Sequence, residues 1–120
     1  MKLFVSGLVA VALAASITLT STPSRADEAA AKESYKNLCV KCHGETGKGD
    51  GPGVAKLKKK PGDLTDCARM AKFTDDALFK AIKEGGPAIN ESKEMNGFSD
   101  GMEDEEIKGM VAYVRTMCKK

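Results

Sequence analysis

The sequence has no tryptophan, and its other aromatic residues are four Phe and two Tyr. Platforms on which unpaired bases stack are therefore scarce, which argues against a single-strand nucleic-acid binder. Strong charge of one sign is missing too. Nineteen Lys and Arg face 17 Asp and Glu, a formal net charge of +2 over 120 residues. That is too little to hold a polyanion by bulk electrostatics. There is one histidine, so a His-rich zinc site or a relay of several imidazoles has no material. The length leaves room for one domain.

The first 26 residues distort this composition. Lys2 precedes an apolar stretch from Leu3 to Leu19, and small residues stand at Ser24 and Ala26. A basic start, an apolar middle and small residues at −3 and −1 predict a secretory signal peptide, residues 1–26, cleaved after Ala26. A membrane anchor is the competing reading, because the stretch is near the lower limit for a span. Ser6, Gly7, Ser16 and Thr18 within it weigh against the anchor. Cleavage removes Lys2 and Arg25 and leaves 94 residues with 17 basic and 17 acidic side chains. The expectation is an exported protein, located in the periplasm, with no stable membrane insertion after processing. A domain of this size buries only about 60–65% of its unfolded surface, so a disulfide, a metal or a cofactor often supports it. Export makes disulfides available to the four cysteines.

Cys39-Val40-Lys41-Cys42-His43 reads C-x-x-C-H, a c-type haem attachment signal. Two thiols three positions apart add across the two vinyl groups of one porphyrin. The histidine that follows lies under the same ring and offers a nitrogen to the iron. Rival readings explain less. A thioredoxin-like motif needs a βαβ setting, and no strand-like run lies nearby. A zinc site needs a second ligand pair, and a local disulfide leaves His43 without a purpose.

On these residues the chain resembles a small class I cytochrome c of the bacterial periplasmic type. The resemblance covers residues 27–120. Beyond the motif it rests on Gly47-Lys48-Gly49-Asp50-Gly51-Pro52, on Met95, and on the ending Asp104 to Ile107 through Val111 to Arg115. It implies an all-α class I cytochrome c fold, with helices wrapped around one covalent haem c. It also implies that the first and last helices pack across each other.

The residues themselves predict a helix over 28–42, with Ala31, Tyr35, Leu38 and Cys42 on one side. Residues 44–62 are glycine-rich loop with one short helix at 53–59. A neutral axial histidine usually donates its other ring nitrogen to a carbonyl. Pro52, nine residues after His43, is the candidate for that carbonyl, and the resemblance implies the same position; an ordinary turn proline is the alternative. Leu64, Cys67, Ala68 and Ala71 follow helical spacing. Thr74 predicts a capped helix start, with Phe73 and Leu78 in the staple positions, and Gly85-Gly86-Pro87 stops that helix. Residues 85–102 read as loop. The last helix runs from about Asp104 to Met117, with a stripe at Ile107, Met110, Val111, Val114 and Cys118.

One histidine leaves one axial iron position open, and methionine is the available soft ligand. Met110 and Met117 suit the core of the last helix, and Met70 sits among helical residues. Met95 and Met102 lie in the loop before the last helix. The resemblance favours Met95, with Met95-Asn96-Gly97-Phe98 standing where the family has Met-Pro-x-aromatic; Asn96 replaces the proline.

An iron with both axial sites filled has no place for substrate. The expectation is a one-electron carrier, not an enzyme, that shuttles electrons between protein redox partners as a monomer. Two alternatives stay open: a haem-based sensor or ligand-binding cytochrome with a labile sixth site, and the electron-entry subunit of a periplasmic oxidoreductase. Cys67 and Cys118 remain for a disulfide, with two buried thiols as the alternative. Between Cys39 and Gly62, six lysines outnumber Glu45 and Asp50, whereas the segment 94–106 carries six acids and no base. Lys56, Lys58, Lys59 and Lys60 are therefore expected to orient an acidic partner, against the alternative of a merely solvated face.

Overall fold

The computed structural model describes residues 24–119, so residues 1–23 of the expected signal peptide (1–26) lie outside the described residues, and its last three residues stand at the start of the first helix. Helix α1 spans Arg25–Leu38. It starts three residues before the expected position because Ser24 and Asp27 cap each other. The Ser24 backbone N–H donates to the Asp27 carboxylate at 2.9 Å, and the Asp27 N–H donates to Ser24 Oγ at 3.3 Å. Cys39 then leaves ideal helical geometry (φ −109°), and α2 follows at Val40–His43. The single helix expected over 28–42 is thus two pieces meeting at Cys39. The join is tight, since the Cys39 N–H donates to Tyr35 O at 2.8 Å and the His43 N–H donates to Cys39 O at 2.9 Å.

A helix end leaves its last carbonyls without partners, and here the glycine-rich loop supplies them. The N–H groups of Gly49, Gly51 and Gly53 donate to the carbonyls of His43, Cys42 and Lys41 at 2.8, 3.2 and 2.7 Å. Gly51 fits so closely that a Cβ there would meet the carbonyl oxygens of Val40 and Lys41. The short helix expected at 53–59 is a 3₁₀ turn at Val54–Lys56.

Helix α3 is one turn, Cys67–Met70, capped by Asp66. Helix α4 spans Asp75–Glu84, and Thr74 Oγ1 accepts the Ala77 N–H at 3.1 Å, the expected cap. It stops at Gly85, whose φ of +98° suits glycine. The segment read as loop after it holds a 3₁₀ turn at Gly86–Ile89 and an isolated antiparallel bridge between Gly85 and Asn96. Helix α5 spans Asp104–Met117. No strand forms among the described residues, and the fold is all-α.

The first and last helices cross, as the resemblance implies. Gly109 on α5 faces Ala31 on α1, where an added Cβ would stand 4.0 Å from the Ala31 Cβ. One turn further along, Tyr35 meets Tyr113 edge-on, with ring centroids 5.5 Å apart. Small residues at the first contact let the backbones approach, and the aromatic pair fills the space beyond it. Ile107, Met110, Val111 and Val114 bury the α5 stripe against Tyr35, Met70, Leu78 and Ile82. Arg115 fastens the α3–α4 corner to α5. Its Nε donates to Asp75 Oδ1 at 2.9 Å, Nη1 donates to Met70 O at 2.8 Å, and Nη2 donates to Phe73 O. The sulfurs of Cys67 and Cys118 lie at bonding distance, with Cα atoms 5.0 Å apart, where α3 meets the end of α5. Cys118 lies just past the helix in extended backbone, rather than on its stripe. Among the described residues no helix is long and apolar enough to cross a membrane.

Candidate functional site

A cavity of about 490 Å³ lies among the ends of α1 and α2, the 53–64 segment, α3, α4 and the loop before α5. Cys39, Cys42 and His43 line it, and so does Met95. Leu64, Phe73, Leu78, Ile82, Phe98 and Met110 supply apolar wall. Lys41, Lys56, Lys59, Lys60 and Arg69 stand among the remaining lining residues. The volume is in the range of cofactor pockets, with an apolar interior and a few polar groups.

Burial sets the chemistry of the motif. It pushes the Cys39 thiol up to about 11, with the neighbouring Cys42 a smaller cause. It also lowers the His43 pKa, which favours the neutral imidazole that binds metals. The Tyr35 hydroxyl, buried behind the motif, donates to Gly44 O at 2.8 Å. That bond braces the residue directly after His43.

The expected site residues divide. Cys39, Cys42, His43 and Met95 share the cavity. Pro52 does not line it and is exposed. The hydrogen bond expected from His43 to the Pro52 carbonyl is not made, because His43 Nδ1 is buried without a partner. The amides of Gly51 and Gly53, on either side of Pro52, are committed to the Cys42 and Lys41 carbonyls, which fixes this stretch along α2. Met102, the other loop methionine, is buried in the helical core and does not line the cavity. Met70, read from sequence as sitting among helical residues, does line it.

Sequence reasoning missed the acids that tie the cavity's loops together. Glu94 Oε1 accepts the Lys58 N–H at 2.7 Å, and Oε2 accepts the Lys59 N–H at 3.0 Å. Glu91 takes Arg69 at 3.1 Å and Lys59 at 3.7 Å. In sequence Glu94 belongs to a run of acids, and nothing local marks it as different. The contacts that distinguish it come from residues 35 and 36 positions away.

The donor set fits a porphyrin. Cys39 and Cys42 are not bonded to each other, the neutral His43 adjoins them, and the surrounding wall is apolar. The basic lining residues suit a ligand with carboxylate groups. Among the described residues no cluster of three or more His, Cys, Asp or Glu offers a conventional metal cage.

Comparison with known proteins agrees. Among solved structures, the KustC0563 c-type cytochrome is 28% identical, with a TM-score of 0.59, and the match covers 74% of this chain and 98% of that one. A chain of the Kuenenia stuttgartiensis reducing HAO-like protein complex Kustc0457/Kustc0458 is 26% identical, with a TM-score of 0.66 over 84% of this chain. The match spans 48% of that longer chain. No curated protein sequence matches significantly. The cytochrome c family profile matches residues 28–117, and the chain therefore belongs to the cytochrome c family, with haem c as its covalently bound cofactor.

Proposed function

We propose that the protein is an exported, periplasmic one-electron carrier in which Cys39 and Cys42 hold the haem through thioether bonds and His43 and Met95 bind its iron. The observation that carries this reading is that one apolar cavity is lined by all four residues. When bound, the group supplies an iron couple that takes up and gives back one electron. The chain's part is to hold and shield it. Cys39 and Cys42 fix it in place, so a small domain need not enclose it fully. The burial that keeps His43 neutral leaves a lone pair for the iron. The apolar wall from Leu64 to Met110 keeps water away, and a thioether ligand raises the potential relative to a second imidazole. Filling both axial positions suits electron exchange rather than catalysis on a bound substrate.

The basic edge supports docking to an acidic redox partner. Lys56, Lys58 and Lys60 are exposed, and among the described residues the ion pair within this run joins Lys59 to Glu91.

Two measurements test the reading. Acid–acetone extraction of the purified protein should leave haem on the chain, and haem lost to the solvent rejects attachment through Cys39 and Cys42. Met95→Ala should remove the weak red absorption band that reports iron–sulfur ligation and should lower the potential. Met102→Ala should leave both unchanged, and the opposite pattern moves the ligand to Met102.

One comparison favours a second reading, that of an electron-entry subunit: a similar chain belongs to a named protein complex and is about twice as long as the matched region. Purification from native periplasm separates the two. A free carrier elutes alone, and a subunit elutes with its enzyme.

A further inference from the structure

Asn96 follows Met95 where the family resemblance has a proline, so the loop lacks the stiffness that a fixed φ gives. The structure holds this loop by other means. On one side it is stitched to α4 and to the 3₁₀ turn that follows α4. The Gly86 N–H donates to Met95 O at 3.0 Å, the Phe98 N–H to Ile82 O at 2.9 Å and the Ser99 N–H to Lys83 O at 3.2 Å. On the other side the residue just before Met95 reaches across to the lysine segment. The two carboxylate oxygens of Glu94 accept successive backbone N–H groups, Lys58 at 2.7 Å and Lys59 at 3.0 Å. Ser92 Oγ accepts the Glu94 N–H at 3.2 Å and stands 3.5 Å from Oε2, which fixes the carboxylate from behind. A carboxylate that takes two backbone donors forms charge-assisted bonds, stronger than neutral ones.

We propose that Glu94 is a positioning residue that clamps the Met95 loop to the Lys58–Lys59 backbone and thereby keeps the Met95 sulfur on the iron. The inference rests on Met95 being the sixth ligand. Glu94 offers the iron no soft or imidazole donor, and its part is to act through its neighbour Met95. The two attachments hold the loop from both ends: Gly86 fixes Met95, α4 fixes Phe98 and Ser99 after it, and the Glu94 bonds fix the residue before it. The clamp uses the backbone of Lys58 and Lys59, so the charges on their side chains are irrelevant to it.

The test compares holoprotein variants by titrating the oxidised form with imidazole, which competes with the sulfur for the iron. Glu94→Ala should retain the iron–sulfur band without imidazole but lose it at about tenfold lower imidazole than the wild type, from the loss of two hydrogen bonds. Glu94→Gln keeps one acceptor oxygen and should fall between the two. Lys58→Gln, outside the cavity lining, keeps its N–H donor and should titrate as the wild type does. Met95→Ala should lack the band from the start. An unchanged imidazole midpoint in Glu94→Ala, with the band absent in Met95→Ala, overturns the clamp and leaves the ligand assignment standing. A band that survives in Met95→Ala overturns the ligand assignment and the clamp with it. Should Glu94→Ala fail to fold, Glu94→Gln carries the same comparison with a smaller expected shift, and a wild-type midpoint there overturns the clamp.

Discussion

Gly51→Ala tests how closely the glycine-rich loop is fitted to the haem-attachment helix. The added methyl would meet the carbonyl oxygens of both Val40 and Lys41, and it would stand 2.6 Å from the Lys41 carbonyl carbon. These are backbone atoms of α2 and cannot swing aside as a side chain could. The loop must therefore move outward by about 1 Å to reach ordinary van der Waals contact. That displacement stretches the Gly51-to-Cys42 bond from 3.2 Å and the Gly53-to-Lys41 bond from 2.7 Å, beyond the range in which such bonds retain strength. Two hydrogen bonds at a net 0.5–1.5 kcal/mol each, with overpacking of about 1–3 kcal/mol, give a loss of about 2–6 kcal/mol. The assay is guanidinium unfolding of the holoprotein followed by far-ultraviolet circular dichroism. Gly101→Ala is the control, because an added Cβ there meets nothing within 4 Å, and it should stay within about 0.5 kcal/mol of the wild type. If Gly51→Ala is as stable as Gly101→Ala, the loop is not seated on those carbonyls and the account of the α2 terminus is wrong.

Three further outcomes are expected. Cys67 and Cys118, 51 positions apart, should yield no free thiol in the denatured, unreduced protein, and Cys67→Ser with Cys118→Ser should cost on the order of 3–4 kcal/mol. Changing Lys56, Lys58, Lys59 and Lys60 to Gln should slow electron exchange with anionic hexacyanoferrate by about tenfold at low salt and flatten its salt dependence; an unchanged rate shows a merely solvated face. Tyr35→Phe should cost only about 1 kcal/mol, because Gly44 O keeps the N–H of Gly47. Burial, and to a lesser degree Cys39, Tyr113 and Asp50, raises the Tyr35 pKa from 10.0. The folded hydroxyl therefore keeps its proton where the unfolded one loses it, and that contribution to stability is present below about pH 10 and declines above it. The variant lacks this decline, so its stability should fall less than that of the wild type between about pH 9 and about pH 11.

What the sequence revealed and what it hid differ by range. The cap at Thr74, the stop at Gly85 and the α5 stripe from Ile107 to Val114 are local patterns, and each stands where the chain predicts it. The haem motif is local too, five consecutive residues. The Pro52 bond was an inference about two segments meeting; the glycine amides on either side of Pro52 bind α2 carbonyls, and His43 Nδ1 is buried without a partner. In the sequence Arg115 stands only as the end of the segment that carries the family resemblance. Its three bonds to Asp75, Met70 and Phe73 depend on an α3–α4 corner some 40 positions away. Glu94 was hidden for the same reason. Short-range periodicity reveals which residues are buried, but not which distant backbone groups need a polar partner.

The meeting of Ala31 with Gly109 and of Tyr35 with Tyr113 has a consequence for the order of assembly. Helix α1 emerges among the first parts of this domain and α5 among the last, so the contact closes over nearly the whole intervening chain. Closing so large a loop is entropically costly, and contacts of this separation slow folding. Until α5 arrives, the Ala31–Tyr35 face of α1 lacks the cover that Gly109 and Tyr113 give it. The Ala31–Tyr35 face, which leads up to the haem-attachment cysteines, is thus among the last parts of the core to be covered.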